Sequence, residues 1–267
     1  MRVLVPYLIS DALLLSSSVA EADQPEWVSG ASYAADALAM RASRHRVYRR
    51  ITAGGGTTPP EADTTVWQDI GPTNRWAMFD GAVGTSTTAS GSISVSLAVP
   101  GPADDVVLLG VTGSTLSVTA PGASRTTSVS NGVARVTGLG ASAGTLNITA
   151  SGGSSVAVGS CLVGTYSDLG EVVDRASLGI IDKSRKEFDA WGRPELVIRS
   201  FQRRQQFPIV FDTSAFDAVA GALAAVRSQA VLWEGVPWLD ATVIYGMCRD
   251  WSLTRSRSEK SRGTVTI

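Results

Sequence analysis

Apolar and polar side chains alternate most regularly in the middle of the chain. Residues 92–97 (SISVSL), 115–118 (TLSV) and 145–148 (TLNI) have apolar residues at every second position, which predicts strands with one buried face. Residues 104–111 (DDVVLLGV) contain a continuous apolar run and predict a strand covered on both faces. Turn sequences separate these segments: Pro100-Gly101-Pro102, Pro121-Gly122, Asn131-Gly132 and Gly152-Gly153. The whole pattern predicts an antiparallel β-sandwich or jelly roll. Asn131-Gly132 predicts a tight turn, since this dipeptide is favoured in tight hairpins.

The C-terminal part of the chain has a different pattern. A hairpin is predicted to turn near Trp191-Gly192, and its return strand has six residues on one side: Phe201, Arg203, Gln205, Phe207, Ile209 and Phe211. Residues 213–228 (TSAFDAVAGALAAVRS) predict a helix capped by Thr213 or Ser214. The apolar face of that helix consists of Phe216, Val219, Leu223 and Val226. This part is therefore expected to be an α+β unit, with one helix lying on a sheet.

The N-terminal residues resemble an export signal only partly. Pro6 and Asp11 interrupt the apolar run, which is shorter than the centre of a signal peptide, about 7 to 15 residues. The segment from Val3 to Leu8 is instead expected to be extended and to be followed by a turn that starts at Asp11. No apolar run reaches the roughly 18 residues that a membrane-spanning helix needs, so no membrane span is expected.

These patterns divide the chain into four parts. An N-terminal extended segment covers residues 1–22, and a small β module covers residues 23–70. A sandwich or jelly roll covers residues 71–165, and the α+β unit covers residues 166–267. The predicted fold class is mainly β with a small α+β part, in which the sandwich is inserted before a C-terminal sheet-plus-one-helix domain.

Composition narrows the possible partners. The chain has 267 residues, 44% of them hydrophobic and 18% charged, with a net charge of −1. A charge so close to zero gives no overall field that would attract nucleic acid or anionic lipid, so no nucleic-acid partner is expected. Cys161 and Cys248 lie far apart in the sequence and outside any metal-binding spacing. Both are expected to be buried, reduced thiols, with one disulfide between them as the alternative.

The sequence does not favour an enzyme. His45 is the one histidine and lies among arginines, and no common catalytic motif surrounds it. Asp80 by itself cannot hold Ca²⁺, which takes about six to eight oxygen ligands. We therefore predict no catalytic residues, no metal site and no cofactor.

Residues 23–70 resemble the small chitin-binding-type modules that are attached to secreted glycosidases and to phage tail proteins. The resemblance depends on four aromatic residues, a basic strand and a Gly/Thr/Pro loop at 54–60; the aromatic residues are Trp27, Tyr33, Tyr48 and Trp67. Ala35 and Asp36 depart from the Gly-Asp turn of such modules. The resemblance implies that the four rings are candidate glycan contacts.

Those aromatic residues have a second interpretation. Exposed rings stack on sugars, but in so small a module the same rings are often the only available core. We expect Trp27 and Trp67 to be core residues, and both roles stay open for Tyr33 and Tyr48.

The small module also contains a basic cluster of Arg41, Arg44, His45, Arg46, Arg49 and Arg50. Such a cluster could bind phosphate. The alternation in residues 45–51 (HRVYRRI) favours a simpler interpretation, in which arginines lie on the solvent side of a strand. Val47 and Ile51 would then lie on its other face.

Residues 71–81 (GPTNRWAMFDG) are dense in large and polar side chains and precede the first alternating strand. Jelly-roll domains of the galactose-binding-like kind often begin with a similar segment across one end of the sandwich. We expect a structural joint here, formed by Asn74, Arg75, Trp76, Phe79 and Asp80. Trp76 and Phe79 would close the end of the sandwich, and Arg75 and Asp80 would form a hydrogen-bonded pair.

Nearly the whole chain resembles structural proteins of long-tailed bacteriophages and prophages. The resemblance depends on residues 71–81 together with 178–187 (LGIIDKSRKE), 199–213 (RSFQRRQQFPIVFDT) and 243–253 (VIYGMCRDWSL). It implies a tail-tip or baseplate component that resembles distal tail proteins, with a ring-forming C-terminal domain and peripheral modules. Homo-oligomers, tail-tube and hub proteins would be its partners, and the virion, assembled in the host cytoplasm, its location. The alternative is an adhesin that binds host-surface glycans without forming a ring.

Charged residues of the C-terminal part are consistent with assembly. Basic and acidic side chains are mixed there: Lys183, Arg185, Lys186, Arg199, Arg203 and Arg204 lie near Glu187, Asp189 and Glu195. A surface with both signs suits repeated subunit contacts of fixed orientation, although solvation alone explains most such charges.

Overall fold

The computed structural model describes residues 1–173, 176–188 and 190–267. Strands account for 51% of the structure and helical turns for 9%. The sheets are antiparallel, and the single α-helix of the described residues lies near the C-terminus. The predicted fold class, mainly β with a small α+β part, is therefore confirmed.

The secondary-structure elements follow one another as short strands with few helical turns. The first strands are β1 (Arg2–Leu4), β2 (Leu14–Ser17), β3 (Ser32–Tyr33), β4 (Leu38–Arg41), β5 (Arg46–Arg50), β6 (Gly54–Gly55), β7 (Trp67–Pro72) and β8 (Thr87–Val99). The next are β9 (Asp105–Leu109), β10 (Thr115–Ala120), β11 (Ala123–Ser128), β12 (Val133–Val136), β13 (Gly144–Val158), β14 (Ser160–Gly164), β15 (Tyr166–Asp168) and β16 (Glu171–Val172). The last are β17 (Ser177–Asp182), β18 (Arg185–Phe188), β19 (Pro194–Val197), β20 (Phe201–Asp212), β21 (Ala230–Glu234), β22 (Val243–Met247), β23 (Asp250–Thr254) and β24 (Lys260–Thr266).

The helical elements are short. The α-helix α1 is Phe216–Ala225, and the 3₁₀ turns are Ala42–Arg44, Pro60–Ala62, Ala77–Phe79, Thr213–Ala215 and Asp240–Thr242.

The chain forms two compact units. One unit consists of Tyr7–Thr165, and the other combines Met1–Pro6 with Tyr166–Ile267. The predicted N-terminal segment is thus divided: β1 pairs with β15 and β21 of the second unit, whereas β2 pairs with β8 of the first.

The sandwich in the first unit consists of two antiparallel sheets. One has the strand order β11-β10-β13-β8-β2 and the other β12-β9-β14. Their inward side chains form one core, which includes Leu97, Leu116, Leu146 and Leu108. All three alternating segments are strands with one buried face, as predicted. The central strand β9 is buried along Asp105–Leu108, which confirms the strand predicted to be covered on both faces.

The turn at Asn131-Gly132 takes the chain from one sheet of the sandwich to the other. Both residues have positive φ, 49° and 75°, as a two-residue type I′ turn requires. Ser130 and Val133 pair across the turn. The tight turn predicted from this dipeptide is therefore confirmed.

The small module in the first unit has a three-stranded sheet, β4-β5-β7, and a two-stranded one, β3-β6. The predicted alternation along β5 is wrong, because a register shift lies between Val47 and Tyr48. Both of these side chains are buried, and Ile51, predicted to share a buried face with Val47, is 49% exposed. A bulge of this kind places consecutive residues on one face.

The second unit has two sheets and the helix around one core. The sheet β15-β1-β21-β22 and the sheet β16-β20-β24-β23 both contribute to it, through residues such as Val3, Trp233, Phe207 and Val265. The predicted apolar face of α1 is confirmed, since Val219, Leu223 and Val226 are buried in this core and Phe216 packs against it.

Two details of this unit differ from the predictions. Neither Thr213 nor Ser214 caps the helix; the hydroxyl of Thr213 hydrogen-bonds to Ser258 O and Ser261 Oγ, each at 2.8 Å. On β20, alternate side chains are buried only from Gln205 to Phe211, whereas Phe201 and Arg203 are exposed. The second half of β20 faces the core of the second unit through Phe207, Ile209 and Phe211, whereas residues 201–204 pair with β17 and contribute nothing to that core.

Candidate functional site

The joint segment, residues 71–81, lies between the small module and the sandwich in the first unit. Its 3₁₀ turn places Met78 in the sandwich core and Phe79 against that core. Trp76 is also buried, but it stacks on His45 of the small module, with ring centroids 3.9 Å apart. The joint therefore holds both parts through side-chain packing.

The Asn74 side chain hydrogen-bonds to the backbone at the start of β8, as a neighbouring strand would. Its side-chain amide donates to Thr88 O at 2.9 Å, and its side-chain oxygen accepts from Thr88 N at 2.7 Å. Its backbone N–H donates to Asp23 Oδ2 at 2.6 Å. One asparagine thus satisfies backbone groups of β8 and fixes Asp23.

The predicted Arg75–Asp80 pair does not form. Among the described residues, Asp80 accepts hydrogen bonds from Ala82 N at 2.8 Å and from the Thr85 hydroxyl. The buried Nε of Arg75 has no hydrogen-bond partner there. Asp80 instead closes its own turn, because an aspartate can bond the backbone two residues further on.

His45 is the centre of a hydrogen-bonded network that no sequence pattern indicates. Its Nδ1 lies 3.0 Å from Glu21 Oε1, and its Nε2 lies 3.2 Å from Asp11 Oδ2. Thr73 joins the network, since its hydroxyl donates to Glu21 at 2.8 Å and its N–H donates to His45 O at 2.8 Å. Two carboxylates therefore lie within hydrogen-bond distance of the two ring nitrogens of His45.

A groove next to the joint, here called the joint groove, has a volume of about 440 Å³. Its lining is mixed: Asp23, Gln24, Asn74 and hydroxyl side chains are polar, and the apolar lining residues are Leu38, Val47, Ile70, Pro72 and Ala77. A cavity of this size and lining is large enough to hold one large side chain or a small ligand.

The four candidate glycan-contacting rings have different environments. Trp67 and Tyr48 are only 2% and 4% exposed and form the core of the small module. Burial also raises the pKa of Tyr48. Trp67 is therefore a core residue, as expected, and of the two roles left open for Tyr48 it has the core role. Neither ring is a glycan contact, because a buried face cannot stack on a sugar.

Trp27 and Tyr33 are half-buried and pack against that core. The Arg41 guanidinium lies 5.1 Å from the centre of the Trp27 ring, and Tyr33 packs edge-on against Trp67. The Tyr33 hydroxyl accepts a hydrogen bond from Val28 N at 2.7 Å. Glycan contact through these two rings stays a prediction.

The basic cluster of the small module is largely paired with acidic side chains. Its closest ion pairs are Arg41–Glu61 at 3.0 Å and Arg46–Asp69 at 2.8 Å. Arg50 is buried over Trp67 and donates to Thr52 O. Pairing of this kind reduces the local positive potential that phosphate binding needs.

The strands from 177 to 206 form the second candidate site, here called the arm: residues 177–188 and 190–206, with Asp189 outside the described residues. In the arm, β17 pairs with the first half of β20, and β18 pairs with β19. Of the 21 large hydrophobic side chains that are exposed in the described chain, nine lie here: Leu178, Ile180, Ile181, Phe188, Trp191, Leu196, Val197, Ile198 and Phe201.

The arm is uncovered on both faces. Ile180 and Ile181 are 63% and 44% exposed, and consecutive residues of a strand point to opposite faces. The arm is also basic, since residues 177–206 contain seven Lys or Arg and four Asp or Glu, a net charge of +3. Arg185 and Glu187 pair within it.

The described residues also bear on metal binding, thiol reactivity and the crossing of a membrane. No group of three or more His, Cys, Asp or Glu among them could hold a metal ion. Cys161 and Cys248 are free thiols; Cys161 is buried as expected, whereas Cys248 is only half-buried. Burial raises the pKa of Cys161 to about 12. Within the described ranges, no helix is long and apolar enough to cross a membrane.

The sequence predicts the joint segment but not the acidic residues that hydrogen-bond to it. Glu21 and Asp23 lie about 50 residues from Thr73 and Asn74 in the sequence, and no local pattern indicates such contacts. A sequence pattern does indicate the exposed apolar surface of the arm: GII at 179–181 and LVI at 196–198 are runs of consecutive apolar residues close to basic ones. Comparison with protein-family models, with curated proteins and with solved structures finds no match to this chain.

Proposed function

We propose that this chain is a structural protein that associates with copies of itself through the arm. The observation that carries the proposal is the exposure of apolar side chains on both faces of the arm. Contiguous exposed apolar surface on a protein marks a binding site for another protein or a membrane.

The geometry of the arm supports a protein partner. An isolated two-stranded hairpin is at best marginally stable in water, and β18 and β19 pair only with each other among the described residues. A second protein surface would cover the apolar side chains and order the strands. The net charge of +3 on the arm also suits an acidic protein surface.

The resemblance to phage proteins extends this proposal to a tail tip or baseplate. There the chain would form an oligomeric ring or adaptor, bind tail-tube and hub proteins, and become part of the virion after assembly in the host cytoplasm. Host-glycan recognition by the small module would be an additional role, and it depends on Trp27 and Tyr33.

Light scattering after size-exclusion chromatography tests self-association. We expect the wild-type chain to form oligomers across a dilution series and Ile180→Glu/Ile198→Glu to be monomeric. The two isoleucines are 63% and 80% exposed, and Val83, which is 81% exposed outside the arm, provides the control variant Val83→Glu. Circular dichroism would verify that each variant folds. A wild-type chain that stays monomeric at the highest concentration would contradict the proposal.

A further inference from the structure

We propose that the tip of the arm of one copy, with Phe188 and Trp191, docks into the joint groove of a second copy. This inference rests on the proposed self-association and names the surface that the arm contacts. The arm tip is defined here as residues 185–188 and 190–194.

The arm tip presents aromatic side chains beside positive charge. Trp191 is 86% exposed and Phe188 is 75% exposed. Arg185, Lys186 and Arg193 lie within a few residues of them. Large aromatic residues with nearby arginine are typical of the few side chains that contribute most of the free energy of a protein interface.

The joint groove has the complementary properties. Its apolar lining residues include Leu38, Ile70 and Pro72, and Ile70 is 47% exposed. Its volume of about 440 Å³ is within the range of roughly 300 to 1,000 Å³ that holds compact ligands. Asp23 also lines the groove, and its carboxylate accepts a hydrogen bond from Asn74 N.

Charge favours the same pairing. Residues 7–165, which contain the groove, have eleven Asp or Glu and eight Lys or Arg, a net charge of −3 with His45 neutral. The arm carries +3, and the remaining residues, 1–6, 166–176 and 207–267, have nine acidic and eight basic side chains, a net charge of −1. The unit with the groove is therefore the most acidic part of a second copy, and opposite charges guide the encounter of two surfaces.

A contact between two different surfaces has a consequence for assembly. Each copy that uses its tip on one neighbour keeps its own groove for another, so the contact is heterologous. Heterologous contacts generate closed rings or open filaments. Contact of two arms with each other would instead give a closed dimer.

Two variants separate these arrangements. Trp191→Ala removes the anchor from the tip, and Ile70→Arg places a positive charge in the groove. The matched controls are Trp238→Ala, since Trp238 is 84% exposed outside the arm, and Ile51→Arg, since Ile51 is 49% exposed outside the groove. We expect both test variants to be monomeric and both controls to assemble like the wild-type chain.

Mixing the two test variants provides the decisive measurement. Trp191→Ala retains a groove, and Ile70→Arg retains a tip, so an equimolar mixture can form one tip-to-groove contact and should yield a heterodimer. Native mass spectrometry with one variant isotopically labelled would identify it. If the mixture stays monomeric, or if Ile70→Arg alone assembles like the wild-type chain, the docking site is wrong. A monomeric wild-type chain would contradict the proposed function itself.

Discussion

The strands of the sandwich and the strands of the arm are built from similar sequences and have opposite environments. In β10 the apolar residues Leu116 and Val118 are fully buried, whereas in β17 Leu178 and Ile180 are 48% and 63% exposed. Both strands are paired along their length with an antiparallel neighbour. The difference is that a second sheet covers the inner face of the sandwich strands.

This comparison shows which step of folding the local pattern determines. Strand propensity and alternation select an extended backbone, but the free energy of burial comes only from a second layer. The sandwich supplies that layer within one chain. If the arm obtains its layer from another chain, its apolar side chains contribute to association rather than to folding.

The largest expected difference is in the free energy of unfolding, when one leucine is truncated to alanine in the sandwich and one in the arm. Leu116→Ala should lower the free energy of unfolding by about 2–5 kcal/mol, because it leaves a cavity in a packed core. Leu178→Ala should change it by less than about 0.5 kcal/mol and should weaken association instead. Urea unfolding, with hydrogen exchange to assign the loss to one unit, would measure both.

A monomeric condition is required for that comparison, and the Ile180→Glu/Ile198→Glu background provides one if the arm mediates assembly. Similar losses for both leucines would show that the arm is packed within its own chain. That result would remove the main reason for the proposed assembly.

The regular parts of the fold could be predicted from the sequence because local rules determine them. The alternating strands, the turn at Asn131-Gly132 and the apolar face of α1 all follow from periodicity or from backbone preferences, and the structure confirms them. The hairpin predicted near Trp191-Gly192 is also present, with Gly192 at a φ of 75°.

The remaining features depend on contacts between distant residues. The bulge at Val47 and Tyr48 reverses the expected faces of β5, and nothing in residues 45–51 indicates it. The predicted helix cap is wrong because the Thr213 hydroxyl bonds to Ser258, in the segment before β24. The predicted Arg75–Asp80 pair is wrong because Asp80 accepts hydrogen bonds within its own turn. Polar side chains have several possible partners, so spacing alone does not identify the partner.

A smaller effect is expected from the joint, where one asparagine bonds to a strand of the sandwich. Asn74→Ala removes the two hydrogen bonds between its side chain and the backbone of Thr88. The free energy of unfolding of the first unit should fall by about 0.5–1.5 kcal/mol, the net contribution of a typical hydrogen bond, because both bonds are exposed and water replaces part of what is lost. Thermal and urea unfolding would measure the loss.

The control for this variant is Asn147→Ala. Asn147 is exposed on β13, and its side-chain oxygen accepts from the Ser96 hydroxyl. Replacing it should change the free energy of unfolding by less than about 0.5 kcal/mol. If the two variants lose the same small amount, Asn74 does not fix the start of β8.

The smallest expected effect concerns the rates at which the two cysteine thiols are chemically modified, which report how far each thiol is buried. Burial raises the pKa of both thiols, to about 12 for Cys161. A raised pKa lowers the fraction of thiolate at a given pH, and the thiolate is the form that reacts. Cys248 is half-buried, so iodoacetamide should modify it slowly, and faster as the pH rises toward its pKa.

Cys161 lies in the sandwich core, so a reagent can reach it only when the first unit opens. Its rate of modification should therefore follow the opening of the sandwich, and Leu116→Ala should increase that rate while Leu178→Ala leaves it unchanged. Mass spectrometry of the Cys248→Ser variant would follow Cys161 alone. If Leu178→Ala accelerates its modification as much as Leu116→Ala does, the sandwich and the arm do not differ in the way that their burial indicates.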